Sequence, residues 1–297
     1  MKKTFIFILS VMVIFSGCSK PIKRENGEKL SIYATIFPQY DFARQIAGDR
    51  GDVKMLLPPG AESHCYEPSP AEIVEISKAD VFIYTGKEME PWAEKIISSF
   101  KDKVTVIDIS DAVELKFDKH EGKNNPHIWT SPKNAALIVK FIADKLCEAD
   151  EKNKEYYLSN SSEYIKELEL LDKSFREAVD SGKRKKIIFG GRFALEYFTD
   201  EYNLSYDAAY DSCSEESEPS AKSVARLSDC VKKENIPVVY YEELSDGKTA
   251  KTICEETGAK PLVFHSCHNI SKDDFENNIT YAEIMKTNLK NLKEGLN

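Results

Sequence analysis

Short apolar runs alternate with amphipathic helical stretches along most of this 297-residue chain. Apolar runs of about four to eight residues are typical of strands, and stretches with a 3.6-residue period are typical of helices. In the first half, strands are expected at residues 30–36, 53–57, 79–84 and 104–109, and helices at residues 38–47 and 71–77. The alternation predicts an α/β fold in which mainly parallel sheets are wrapped by helices.

A long helix is expected near the middle of the chain. The loop 110–131 is followed by two helical stretches, and the second, at about residues 154–179, places aromatic and leucine side chains at three- to seven-residue spacings. Gly182 is expected to end it. Further strands at 185–189, 236–241 and 261–264 and a last helix at 280–292 complete the pattern. We therefore expect an N-terminal α/β lobe over 30–150, a bridging helix over 151–182 and a C-terminal α/β lobe over 183–297.

The first residues indicate export. Lys2 and Lys3 precede an apolar run over residues 5–15, then Ser16, Gly17 and Cys18. This run is shorter than the roughly 20 apolar residues of a spanning helix and is typical of a secretory signal. Small residues before a cysteine resemble a bacterial lipobox, so residues 1–17 are the expected signal peptide, Cys18 the lipid-anchored N-terminus on the outer face of the cell membrane, and 18–29 a tether. The alternative is a plain cleaved signal with a chance cysteine.

The chain is acidic, with a formal net charge of −9 that falls to −11 once the two signal-peptide lysines are removed. Phosphate binding needs clustered Lys and Arg on a basic surface, and the acidic balance of this chain is unfavourable to it. Nucleic acid is therefore not an expected partner.

Six cysteines remain after Cys18. An even number outside the cell permits disulfides. Cys147, Cys230 and Cys254 fall in helix-like segments and equally suit buried thiols, so at most one bridge is expected.

Four of the five histidines, His64, His127, His265 and His268, fall in loops that follow predicted strands. Ligands of two-lobed α/β proteins bind where strand ends face each other. Neutral imidazole suits zinc, which takes four nitrogen, sulfur or oxygen donors in a tetrahedron. Each histidine alone could be a surface residue, but together they indicate a metal site.

Two of these histidines lie in distinctive motifs. The segment Leu57-Pro-Pro-Gly-Ala-Glu-Ser-His64-Cys-Tyr-Glu-Pro68 resembles the first ligand loop of the zinc- and manganese-binding receptor lipoproteins of ABC importers, the TroA-like solute-binding family. Asn125-Pro-His127-Ile-Trp129 resembles the second ligand loop, with asparagine where the family has aspartate. Further matches at Glu216-Ser-Glu218-Pro and Thr257-Gly-Ala259 extend the resemblance over essentially the whole mature chain. It implies two α/β lobes joined by a rigid helix, with the metal between them.

The resemblance carries His64 and His127 over as metal ligands. The family's third ligand is a histidine, and this chain has Arg192 there; a guanidinium has no lone pair to donate to a cation. The fourth is a carboxylate after the last strand, where His265 stands, followed by Cys267 and His268. We therefore predict the ligands His64, His127, His265 and His268, with Cys267 or Cys213 as replacements if neighbouring histidines do not both point inward.

The sequence leaves two further pairings open. Cys213 and Cys267 lie in two loops of the second lobe and are either a disulfide or thiolate ligands. Arg192 needs a carboxylate partner near a metal, and the family's loop suggests Glu218. The alternatives for Arg192 are that it binds an anionic chelator carrying the metal, or that it faces solvent.

The expected function is capture of Zn²⁺, with Mn²⁺ as the alternative, by a monomeric receptor that delivers it to an ABC permease without a chemical step. Imidazole donors favour zinc, whereas manganese prefers carboxylate oxygens. One rival is a secreted zinc hydrolase with Glu67 or Glu218 as base, although the sequence contains no His-Glu-x-x-His motif. The other is a surface adhesin.

Overall fold

The computed structural model of the protein describes residues 28–118, 122–210 and 219–297. In its N-terminal lobe, a parallel sheet consists of β1 (Leu30–Ala34), β2 (Gly51–Met55), β3 (Val81–Tyr84) and β4 (Thr105–Asp108), in the order β2-β1-β3-β4. Every residue of β3 is buried, as in parallel sheets covered on both faces. The helices of this lobe are α1 (Phe37–Ala47), α2 (Pro70–Ile76), α3 (Pro91–Ile97) and α4 (Pro132–Ala149), and a small antiparallel pair, β5 (Phe117–Asp118) and β6 (Lys123–Asn124), precedes α4.

The helix that follows, α5 (Lys154–Ser181), has 28 residues and is about 42 Å long at 1.5 Å per residue. One face, which includes Tyr157, Leu168 and Phe175, is buried. This face packs against α1 and α4 in the N-terminal lobe and against the last helix of the chain. The long helix expected from the sequence is confirmed.

Gly182 ends α5 for a reason that differs from the expected one. Its φ is −69°, so it does not adopt the left-handed conformation typical of a glycine after a helix. A Cβ on Gly182 would instead lie 2.8 Å from the Cβ of Leu296. The glycine is therefore required because the end of α5 and the end of the chain approach each other closely.

The C-terminal lobe is built around a second parallel sheet, which consists of β7 (Lys186–Phe189), β8 (Ser205–Ala208), β9 (Val238–Tyr241) and β10 (Lys260–Val263), in the order β10-β9-β7-β8. Its helices are α6 (Glu196–Glu201), α7 (Ala221–Glu234), α8 (Lys248–Thr257), α9 (Lys272–Glu276) and α10 (Tyr281–Leu296). The α/β class with parallel sheets is confirmed. Strand β8 was not predicted, because Ser205-Tyr-Asp-Ala is a short, partly exposed edge strand without an apolar run.

One continuous apolar core runs through both lobes and includes Leu30, Ile138, Phe175, Phe189 and Leu296. Helices α5 and α10 contribute to it from between the lobes. The lobes therefore share a core and are not two separately packed bodies.

Polar contacts also join the loops at the strand ends of the two lobes. The Trp129 indole N–H donates to the Ser266 carbonyl oxygen at 2.9 Å. The Asn269 amide donates to the carbonyl oxygens of Pro58 and Ala61 at 2.8 and 2.7 Å. These bonds hold the loops that carry the candidate ligands next to each other.

Among the residues of the three described segments, no helix has the length and apolar character needed to cross a membrane. The expected signal peptide and Cys18 lie outside the described residues.

Candidate metal centre

Three histidines, His64, His127 and His268, meet between the lobes. One ring nitrogen from each histidine lies within 4.8 Å of a ring nitrogen of each of the other two. The ring centroids are 4.7 Å apart for His127 and His268, 5.2 Å for His64 and His268, and 5.6 Å for His64 and His127. Nitrogens bound to one zinc at about 2.1 Å lie about 3.4 Å apart in a tetrahedron, so the present spacing is close to that of a bound set.

His64 comes from the loop between β2 and α2. Within this loop Gly60 adopts a φ of +84°, which glycine tolerates, and its N–H donates to the Ile270 carbonyl oxygen at 2.9 Å. The His64 N–H donates to Glu62 Oε1 at 3.1 Å. The loop is thus attached to the C-terminal lobe on the side where His64 faces the other two histidines.

His127 follows β6 and directly precedes the helical turn that leads into α4. Its ring Nδ1 lies 2.8 Å from Asn125 Oδ1, and its backbone N–H donates to the same oxygen at 3.0 Å. Because an amide oxygen only accepts, Nδ1 carries the proton. The remaining ring nitrogen, Nε2, is buried and has no hydrogen-bond partner within the described parts of the chain. A buried lone pair of this kind is what a metal ion would satisfy.

His268 lies in the loop after β10, and 9% of the residue is exposed. Its Nδ1 is 2.5 Å from Ser266 Oγ, and its Nε2 is a second buried nitrogen that has no partner in the described segments. Trp129 packs edge-on against the ring at a centroid distance of 5.2 Å. Two of the three rings therefore present an unsatisfied Nε2 to the same small volume.

Burial lowers the pKa of His127 well below its ordinary value, with smaller contributions from His64 and Lys123. The pKa of His268 is lowered in the same way, first by burial and then by the neighbouring histidines. Both rings are therefore neutral at neutral pH, which is the form that binds a metal.

A cleft of about 350 Å³ opens from this cluster, and His64 and His268 form part of its wall. Three carboxylates and one guanidinium also line it: Glu62, Glu242, Glu243 and Arg192. Burial raises the pKa of the Glu242 carboxyl. The cleft carries more acidic than basic side chains, so its charge favours a cation over an anion.

His265 does not join the three-histidine cluster. Its Nδ1 accepts a hydrogen bond from the Cys267 N–H at 2.9 Å and lies 3.6 Å from Glu243 Oε1. Cys267 is a buried free thiol, and burial raises the pKa of this thiol well above its ordinary value. The structure thus brings together three of the four predicted ligands and places His265 beside them.

Arg192 lies 3.7 Å from Glu62 Oε2 of the opposite lobe, and 28% of its side chain is exposed. Glu218, its expected partner, and Cys213, the expected partner of Cys267, lie outside the described residues. The contacts of Ser266 with His268 and Glu243, and of Asn125 with Glu196 at 2.7 Å, were not predicted from the sequence. One sequence signal for such contacts was available: Asn125 and Ser266 each stand two residues before a candidate ligand.

The fold and the site define a class: two-lobed α/β proteins with a histidine-rich metal centre in the cleft between the lobes. Residues 32–295 match the family described as ZnuA, zinc-uptake complex component A, periplasmic. The chain belongs to this family, which confirms the resemblance found in its motifs.

Comparison with individual proteins agrees with this assignment. The chain is 36% identical to the high-affinity zinc uptake system protein ZnuA of Bacillus subtilis, over 97% of this chain and 94% of that protein. It is 32% identical to the zinc-binding lipoprotein AdcA of Streptococcus pneumoniae, over 99% of this chain and 61% of AdcA. The crystal structure of the Zn(II)-bound ZnuA-like domain of AdcA superimposes with a TM-score of 0.80 at 33% identity, covering 91% of this chain and 99% of that domain.

Proposed function

We propose that this protein is an extracytoplasmic receptor that binds Zn²⁺ between its lobes and delivers it to an ABC permease. The observation that carries the proposal is the cluster of His64, His127 and His268, whose ring nitrogens lie within 4.8 Å of one another in a ZnuA-family fold. Three imidazole donors favour zinc over manganese, which prefers oxygen donors. The function is binding and release without a chemical step.

In this proposal the three histidines bind the ion through one ring nitrogen each, and the fourth coordination position faces the cleft. The acidic side chains of the cleft attract the cation and offset the charge of Arg192. His265 lies beside the ion and does not bind it.

A competition titration with a zinc-binding dye tests the ligand set. We expect His64→Ala, His127→Ala and His268→Ala each to weaken Zn²⁺ binding by about 100-fold or more, since each removes one of three protein donors. His265→Ala is the matched control and should change the affinity by less than about tenfold. Retention of wild-type affinity by His268→Ala, or an absence of zinc binding by the unmodified protein, would overturn the assignment.

We propose further that a lipid on Cys18 holds the mature protein at the membrane, as the sequence Ser16-Gly17-Cys18 suggests. We also propose that the mature protein is monomeric. Mass spectrometry of the N-terminal peptide from native cells measures the modification directly. Cys18→Ser should release the protein from the membrane fraction; an unmodified Cys18 in membrane-bound protein would contradict the anchor.

A further inference from the structure

Ser266 lies between His268 and the carboxylate of Glu243. Ser266 Oγ is 2.5 Å from His268 Nδ1 and 2.6 Å from Glu243 Oε1, and the Ser266 N–H donates to Glu243 Oε2 at 2.6 Å. Ser266 and His268 are both buried. The three side chains form one hydrogen-bonded chain that ends on the ring of a candidate ligand.

The proton positions in this chain follow from the number of donors. A carboxylate only accepts, so the single hydroxyl proton of Ser266 is donated to Glu243. Ser266 Oγ then has only lone pairs for His268, and Nδ1 of His268 must be the donor. His268 Nε2 is therefore the bare nitrogen, and it is the buried nitrogen without a hydrogen-bond partner in the described residues.

A separate set of contacts holds the His127 ring in the same way. The residue two positions earlier, Asn125, accepts from His127 Nδ1 at 2.8 Å and donates through Nδ2 to Glu196 Oε2 at 2.7 Å. In both cases a neutral side chain fixes the ring and is itself held by a glutamate of the C-terminal lobe. The repetition indicates that the arrangement serves the rings and is not an accident of one loop.

We propose that Ser266 and Glu243 are positioning residues that make His268 the third ligand in a chain whose usual third position is occupied by Arg192. This inference rests on the proposed zinc-binding function. The loop that carries His268 turns at Cys267, which has a φ of +64°, and contains no helix that would hold the ring. The Ser266–Glu243 pair supplies this orientation and keeps Nε2 unprotonated.

Long-range ¹H–¹⁵N NMR of the histidine rings in the metal-free protein tests the proposal without any metal. We expect the wild type to show His268 protonated at Nδ1. In Glu243→Gln, the new amide oxygen can accept from the Ser266 N–H while the amide nitrogen donates to Ser266 Oγ. The Ser266 hydroxyl then donates to His268 Nδ1, and the ring should switch to the Nε2-protonated tautomer.

Zinc affinity is the second readout. Ser266→Ala and Glu243→Gln should each weaken Zn²⁺ binding by about 10- to 100-fold, as loss of such outer contacts usually does. Ser266→Thr keeps the hydroxyl, so it should retain both the Nδ1-protonated tautomer of His268 and the wild-type affinity. Glu242→Gln, an adjacent cleft carboxylate, is the matched control and should leave the His268 tautomer unchanged.

An Nδ1-protonated His268 in both Ser266→Ala and Glu243→Gln, with wild-type affinity, would overturn the proposal. If the wild type binds no zinc, the receptor function fails, and the NMR comparison alone still decides whether Ser266 and Glu243 set the tautomer. Reduced affinity with an unchanged tautomer in both variants would also refute a positioning role.

Discussion

The Asn125 side-chain amide donates a hydrogen bond to Glu196 Oε2 at 2.7 Å and so joins the His127 loop of the N-terminal lobe to α6 of the C-terminal lobe. In the ligand-loop motif that this segment resembles, the position of Asn125 is an aspartate. An aspartate here would place a second carboxylate against Glu196. We therefore expect asparagine at this position to be coupled energetically to the glutamate across the interface.

We expect Asn125→Asp alone to lower the free energy of unfolding by about 1–3 kcal/mol, because it replaces a partly buried hydrogen bond by two facing carboxyl groups. The double variant Asn125→Asp/Glu196→Gln should recover most of this loss, since the new amide can donate to the aspartate. Urea unfolding of the metal-free proteins measures both values. If the effects of Asn125→Asp and Glu196→Gln measured singly add up to the effect of the double variant, the two residues are not coupled.

Arg192→Gln removes the positive charge from the cleft. We expect Zn²⁺ affinity to stay the same or to rise by a few-fold, because the positive charge of Arg192 repels the zinc ion. Loss of the Arg192–Glu62 ion pair should have little effect, since this pair is long and partly exposed. Competition titration measures it, with Lys260→Gln as a control that removes a surface charge paired with Glu294. A large loss of affinity limited to Arg192→Gln would favour an anionic chelator as part of the cargo.

Glu90 introduces a pH dependence into stability. Its carboxyl is buried at the start of α3 and accepts hydrogen bonds from the Thr35 hydroxyl at 2.5 Å and the Thr85 N–H at 3.0 Å. Burial is the main reason that the pKa of Glu90 is raised from 4.5 to about 7, although these hydrogen bonds lower it. The folded protein thus binds more protons than the unfolded chain between these values, so this contribution to stability is complete below pH 4.5 and is lost as the pH rises through about 7.

The shift corresponds to about 3 kcal/mol. The free energy of unfolding of Glu90→Gln minus that of the wild type should therefore increase by up to about this amount as the pH rises from 5 to 8. Chemical unfolding at both pH values gives the difference, and Glu94→Gln, exposed on the same helix, is the control. Equal pH dependence in Glu90→Gln and the wild type would show that Glu90 does not titrate in this range.

Gly182→Ala tests the contact between the end of α5 and the end of α10. The added methyl group would meet Leu296 Cβ at 2.8 Å, so we expect a loss of about 1–3 kcal/mol in unfolding free energy. Leu296→Ala loses apolar packing by itself, but the double variant should lose less than the sum of the single changes. A neutral Gly182→Ala would mean that the chain end shifts away without cost.

The sequence was sufficient to predict the α/β class, the long helix and the motifs of His64 and His127, because each depends on local periodicity or a fixed spacing. It could not distinguish His265 from His268, since the choice depends on the turn at Cys267 and on the Ser266–Glu243 contact. The pairing of Asn125 with Glu196 joins residues 71 positions apart in the chain. Contacts of this kind depend on how the lobes pack, which no local pattern encodes.

The apolar core that continues from Leu30 to Leu296 through α5 has a consequence for folding. Each half of the chain has a smaller apolar cluster of its own, but both halves also contribute side chains to this shared core, so neither can bury all of its apolar surface alone. Heat should therefore denature the protein in a single calorimetric transition whose van't Hoff and calorimetric enthalpies agree. A fragment cut before α5 should be unable to fold alone, so the two lobes form one cooperative folding unit with a binding cleft on its surface.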